Sequence, residues 1–107
     1  MKITKIESII LEQRLEHSFY FSQWTYDTRT ICIVRIKTDE ELIGWGEAYG
    51  PAHIVKATID FFTPLLIGRD ALAHENLWQD MQRRALDFAR SGVILSAISA
   101  IDNALWD

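Results

Sequence analysis

Thr28-Arg29-Thr30-Ile31-Cys32-Ile33-Val34-Arg35-Ile36-Lys37, then Thr38-Asp39-Glu40-Glu41, then Leu42-Ile43-Gly44-Trp45-Gly46-Glu47-Ala48: this stretch decides the fold. The first run has the densest β-branched content in the chain and predicts a strand. Asp39-Glu40-Glu41 is short and polar, which predicts a hairpin into a third strand at Leu42–Ala48. A left-handed turn position usually takes Gly, and none is offered here. Gly44 and Gly46 alternate with Ile43, Trp45 and Glu47, the pattern of a strand against which another backbone packs closely.

Upstream, Ile3 to Glu12 carries no Pro or Gly. Ile6, Ser8 and Ile10 share one face and Ile9 and Leu11 the other, which suits a strand covered on both sides. Between the first two strands, Arg14 to Asp27 concentrates Phe19, Tyr20, Phe21, Trp24 and Tyr26, five of the chain's twelve aromatic residues. Ser18, Ser22, Gln23 and Thr25 interrupt the alternation, so a long loop is expected, and loops of that length tend to be functional or disordered.

Downstream of Gly50-Pro51 the period changes. Ile54, Val55, Ala57, Ile59, Phe61 and Phe62 predict a helix stopped or kinked near Pro64. Gly68-Arg69-Asp70 is a break, and a second helix is expected from about Ala73 to Ala89. The last helix is the most regular, with Ile94, Ala97, Ile98, Ile101, Ala104 and Leu105 at i, i+3, i+4, i+7 spacing. Ala97, Ala100 and Ala104 allow it to approach a neighbour closely. Three strands followed by three helices give an α+β domain: a three-stranded antiparallel meander with helices on one side. The last helix has no capping signal at Trp106-Asp107, so the natural chain is expected to continue. Its Ile101, Leu105 and Trp106 are then expected to form an exposed apolar surface.

Composition bounds the function. The 107 residues hold 11 Lys and Arg against 15 Asp and Glu, a net charge of −4, with 49% hydrophobic residues. That is one domain, too short for an eight-stranded α/β barrel of roughly 250 residues. The longest basic run is Arg83-Arg84, flanked by Asp80 and Asp87, which argues against nucleic acid. No apolar run approaches the roughly 18 residues of a membrane span. The N-terminus lacks a signal-peptide core, and Cys32 has no partner cysteine, so a cytoplasmic location is expected.

Gly44-Trp45-Gly46-Glu47-Ala48-Tyr49-Gly50 fails the dinucleotide fingerprint, because Tyr49 stands at the third glycine. His17, His53 and His74 are too far apart for a local metal motif. There is no phosphate loop and no nucleophile elbow. Glu47 and Asp102 are carboxylates in apolar settings, expected to serve structure through hydrogen bonds. The aromatic segment is the strongest functional signal: either it folds back on the core, or it is a lid whose Tyr and Trp side chains meet a ligand.

The run Thr38 to Glu47 and the helix Ala97-Ile98-Ser99-Ala100-Ile101-Asp102-Asn103-Ala104-Leu105-Trp106-Asp107 together resemble the N-terminal capping domain of the mandelate racemase/muconate lactonizing enzymes of the enolase superfamily. Glu41 stands where the family usually has a turn Gly, which should strain the hairpin. Asn103 stands where it usually has an apolar or small residue, at about 1–3 kcal/mol if buried without a partner. The resemblance implies a cap over a C-terminal barrel domain that this chain lacks. That barrel would carry the bases and the magnesium, and would remove a proton beside the carboxylate of a small-molecule substrate. Homo-oligomerisation is implied too. This chain is then expected to bind no cofactor, to contribute no catalytic or metal residue and to be inert alone. Its lid loops would place Phe19, Tyr20, Phe21, Trp24, Tyr26, Glu47 and Tyr49 at the substrate, and polar neighbours Ser22, Gln23, Thr25 and Asp27 favour a sugar acid, turned over by a dehydratase or racemase rather than a cycloisomerase. The competing reading is a free-standing α+β binding module that dimerises through its last helix.

Overall fold

The computed structural model describes the backbone of residues 1–21, 24–48, 50–85 and 92–107, and side chains within those ranges outside 13–29. The order is β1 (Ile3–Phe21), β2 (Trp24–Thr38), β3 (Ile43–Ala48), α1 (Ala52–Leu66), α2 (His74–Arg84) and α3 (Val93–Trp106). The sheet is an antiparallel meander in the order β1-β2-β3. The α+β architecture expected from the strand and helix patterns is the one observed.

Sheet register explains the core. Three rungs cross the sheet on its helix-facing side: Ile6–Ile36–Gly44, Ser8–Val34–Gly46 and Ile10–Cys32–Ala48. Cys32, Val34, Ile36 and Ala48 are buried there against Val55, Ile59 and Phe62 of α1 and Ala97, Ile98, Ile101 and Ala104 of α3. Cys32 is the small core hydrophobe its neighbours predicted, and burial raises its thiol pKa above the ordinary 9.0, with Lys56 opposing and Asp60 adding to the shift. The opposite side carries Glu7–Arg35–Trp45 and Ile9–Ile33–Glu47, with Arg35 bonded to Glu7 at 2.7 Å and lying over the Trp45 ring at 5.7 Å.

The two strand glycines do what their pattern predicted. A Cβ on Gly44 would overlap the Ala104 carbonyl oxygen, and one on Gly46 the Ala100 carbonyl oxygen. Only a strand lacking those carbons lets α3 lie this close, and small Ala100 and Ala104 complete the seam. The Asp107 carboxylate accepts the Trp45 N–H at 3.0 Å and ties the end of α3 to β3.

Several expectations need correction. The long loop from Arg14 to Asp27 is not observed: β1 continues to Phe21 and pairs with β2, with one register irregularity between Arg14 and Phe19. Helix α1 stops near Pro64, as expected, ending at Leu66 two residues beyond it. The β1 strand expected to be covered on both sides is open on the side away from the helices, where Leu11 is 48% exposed. Pro64 lies in the last turn of α1, where it lacks the N–H that would bond the carbonyl four residues back, and the Thr63 hydroxyl donates to the Ile59 carbonyl at 2.9 Å. The predicted end of the second helix, 86–89, lies outside the described residues. Asn103 is exposed, so the cost of burying its amide does not arise. Ile101 is fully buried rather than exposed, because α3 turns that face to the core. Glu41 does adopt the left-handed conformation that the missing turn Gly would have relieved, with φ 62°.

Candidate functional site

Both segments singled out by the sequence leave the same end of the sheet. β3 makes its last pair, Ala48 with Cys32, at that end. The β1–β2 ribbon continues eight residues past Cys32 to Trp24, an overhang of roughly 25 Å at about 3.3 Å per residue. The projection is visible in the dimensions: the radius of gyration is 15.0 Å, against about 13 Å for a compact chain of this length. Helix α1 begins at Ala52, four residues after β3 ends, so its first turn lies near the ribbon's base.

Within the ribbon, Phe19 is paired with Tyr26, Tyr20 with Thr25 and Phe21 with Trp24. Strand periodicity therefore groups positions 19, 21, 24 and 26 as one set, with Tyr20 in the alternate set. Four of the five aromatic positions are brought together along one short stretch of backbone. The signal for this was present in the sequence: Phe19 and Phe21 are two apart, and so are Trp24 and Tyr26, across a two-residue interval. The intervening polar residues concealed it.

Glu47 lies on β3, opposite Ile33 and on the side of the sheet away from the helices. It is exposed, and no hydrogen bond or ion pair holds it among the described residues, contrary to the structural role expected of it. Tyr49 lies outside the described residues. Gly50 has φ 124°, a conformation that L side chains rarely adopt, and it turns the chain into Pro51 at the helix N-cap. His53 is exposed in the first turn of α1.

At the base of the ribbon one polar cluster fixes α1 to β1. Ser8 Oγ donates to Asp60 Oδ1 at 2.7 Å, and Lys56 Nζ donates to Ser8 Oγ at 2.9 Å and to Asp60 Oδ2 at 3.2 Å. The three bonds make this a clamp between α1 and β1. Among the described residues, no three His, Cys, Asp or Glu side chains converge to hold a metal ion, so these residues do not fit a magnesium site. No described helix is long and apolar enough to cross a membrane.

A concavity lies between α2 and α3, at the other end of the domain, and no sequence signal marks it. Its volume is about 300 Å³ and it is lined by His74, Glu75, Trp78, Gln79, Asp102 and Trp106. The His74 and Trp106 rings meet at a centroid distance of 4.0 Å. Asp102, expected to be held by hydrogen bonds, is half-buried with no such partner among the described residues. Residues thirty positions apart in sequence form this cleft, so no local motif announces it.

Comparison with known proteins bears on the whole chain. Residues 5–107 match the family model of the mandelate racemase/muconate lactonizing enzyme N-terminal domain. A D-galactarolactone cycloisomerase from Agrobacterium fabrum is 36% identical over all of this chain and 28% of its own length. A D-galactonate dehydratase from Verminephrobacter eiseniae is 48% identical over 69% of this chain and 20% of its own. Among solved structures, the 3,6-anhydro-D-galactonate cycloisomerase of Zobellia galactanivorans superposes with a TM-score of 0.89 at 53% identity, covering 100% of this chain and 28% of that one. A racemase from Streptomyces coelicolor A3(2), solved with bound magnesium, gives 0.86 at 29% identity, over 97% of this chain and 30% of its own. The chain thus spans under a third of the length of these relatives.

Proposed function

Because the chain belongs to the mandelate racemase/muconate lactonizing enzyme family, as its N-terminal domain, we propose that it is the substrate-selecting cap of an enzyme that removes a proton beside the carboxylate of a sugar acid. The observation that carries this reading is the paired aromatic ribbon, which overhangs the sheet at the end where β3 stops and α1 begins. A two-stranded ribbon that projects this far has no core of its own, and it needs a second surface beneath it. A barrel domain elsewhere in the polypeptide supplies that surface.

The division of labour follows from chemistry. Proton removal beside a carboxylate builds a second negative charge, which needs a positioned base and concentrated positive charge. The described residues here offer neither, so the bases and the magnesium belong to the barrel. The cap excludes water and reads the distal part of the substrate. Phe19, Phe21, Trp24 and Tyr26 supply apolar bodies, with polar handles on Trp24 and Tyr26, from one set of ribbon positions. Tyr20, Glu47 and Tyr49 complete the rim. The relatives that act on galactose-derived acids and lactones support the sugar-acid class. Two of them are cycloisomerases, so ring opening or closing joins dehydration and racemisation among the outcomes such a cap could serve. The enzyme is taken to be a cytoplasmic homo-oligomer.

Steady-state kinetics of Trp24→Ala in the complete enzyme tests the reading. The variant should change the ranking of kcat/KM across a panel of hexonates and hexarates while the bound metal is retained. An unchanged ranking would refute the lid role. The 107 residues alone should show no turnover.

A further inference from the structure

We propose that the cleft between α2 and α3 receives an arginine side chain from the part of the polypeptide outside these 107 residues. This rests on the reading of the chain as one domain of a longer enzyme, as the lengths of its relatives support.

Three features of the cleft call for a cation. Its carboxylates, Asp102 and Glu75, have no ion pair among the described residues, whereas Arg35, Lys56 and Arg69 each have a carboxylate within 3.2 Å. Asp102 is half-buried, and a partly desolvated carboxylate without a donor is a costly arrangement that a paired cation relieves. Trp78 and Trp106, with 43% and 66% of their surfaces open, line the same space, and indole faces attract cations more strongly than other rings do.

The shape selects the occupant further. A cleft of about 300 Å³ between ring systems suits a flat guanidinium, which stacks on aromatic faces and bonds a carboxylate through two N–H groups. Gln79 adds a neutral acceptor at the edge. On the opposite side of the domain the chain already displays the same chemistry internally: Arg35 lies over Trp45 and bonds to Glu7. The α2–α3 cleft repeats the carboxylate and the indole without the arginine.

The test uses 5-fluorotryptophan incorporation and 19F NMR, which resolves the four indoles. In this chain, blocked arginine should shift the Trp78 and Trp106 resonances and leave Trp45 in place. Blocked citrulline, its neutral counterpart, should shift neither. Asp102→Asn should weaken the arginine response at least fivefold, with the Trp45 resonance reporting an intact fold. In the complete polypeptide, Trp78 and Trp106 should lose their solvent isotope shift, and Asp102→Arg should restore it. Equal effects of citrulline and arginine would overturn the proposal, as would indoles that stay solvent-exposed in the complete polypeptide. The Trp24→Ala specificity assay does not involve this cleft, so the two readings fail separately.

Discussion

Replacing Gly46 by Ala adds a single carbon at the seam between β3 and α3. That carbon would overlap the Ala100 carbonyl oxygen and stand 3.1 Å from both the Ala100 carbonyl carbon and the Ala104 nitrogen. All three are backbone atoms of α3, so no side chain can rotate away, and the helix itself must lift from the sheet. Overpacking of this kind costs about 1–3 kcal/mol, toward the upper end where backbone must move. Gly46 does not need a positive φ, so Ala also restricts the unfolded chain and returns about 0.4–1 kcal/mol. The net expectation is a destabilisation of roughly 2 kcal/mol, near 10 °C in melting temperature for a domain of this size. Urea unfolding followed by circular dichroism measures it. Gly68→Ala is the control: it meets nothing within 4 Å but sits at φ 85°, so it carries backbone strain without a clash. A Gly46→Ala variant as stable as the parent would show that α3 does not rest on the strand as closely as described.

Glu41→Gly removes a left-handed L residue worth about 1–2 kcal/mol of strain and adds unfolded-state entropy of about 0.4–1 kcal/mol, so the variant should be modestly more stable by thermal melting. Cys32 has a folded-state pKa raised mainly by burial, so its contribution to stability is full below the ordinary thiol value of 9.0 and declines as pH rises through and beyond it. Chemical denaturation between pH 7 and pH 10 should show that decline, and Cys32→Ala should remove it; native Cys32 should also resist thiol reagents until the chain unfolds. Ser8→Ala breaks two of the three bonds in the clamp between β1 and α1 but leaves Lys56 and Asp60 paired, so a loss of about 1 kcal/mol is expected in the same unfolding assay.

Much of this fold is legible because its signals are local and redundant. Ile31 to Val34 could be little else than a buried strand, and Gly44 with Gly46 against Ala100 and Ala104 describes a seam from both sides. The ribbon was misread because alternation is a signal of burial. Ribbon positions that project past the sheet lack a core to enforce apolar on one side and polar on the other, so Ser18 and Thr25 blurred a period that Phe19, Phe21, Trp24 and Tyr26 kept. Pro64 marks the end of α1 to within two residues, because a missing N–H and a ring clash oppose further helix whatever packs around it. Asp102 was correctly singled out as unusual, but its setting depends on α2, and α2 is brought beside it only by packing. The aromatic positions of the ribbon were found from composition alone; the pairing that groups them needed the register.

The carboxylate of Asp107 holding the Trp45 amide spans 62 positions of sequence. During synthesis at about 5–20 residues per second, the glycine-floored track along β3 must therefore stay vacant for several seconds after it leaves the ribosome. Until α3 emerges, a nascent chain presents a bare strip of backbone with apolar neighbours, the kind of surface that chaperones shelter. Translation speed across the codons for α3 is thus a quantity on which the yield of correctly closed domain should depend.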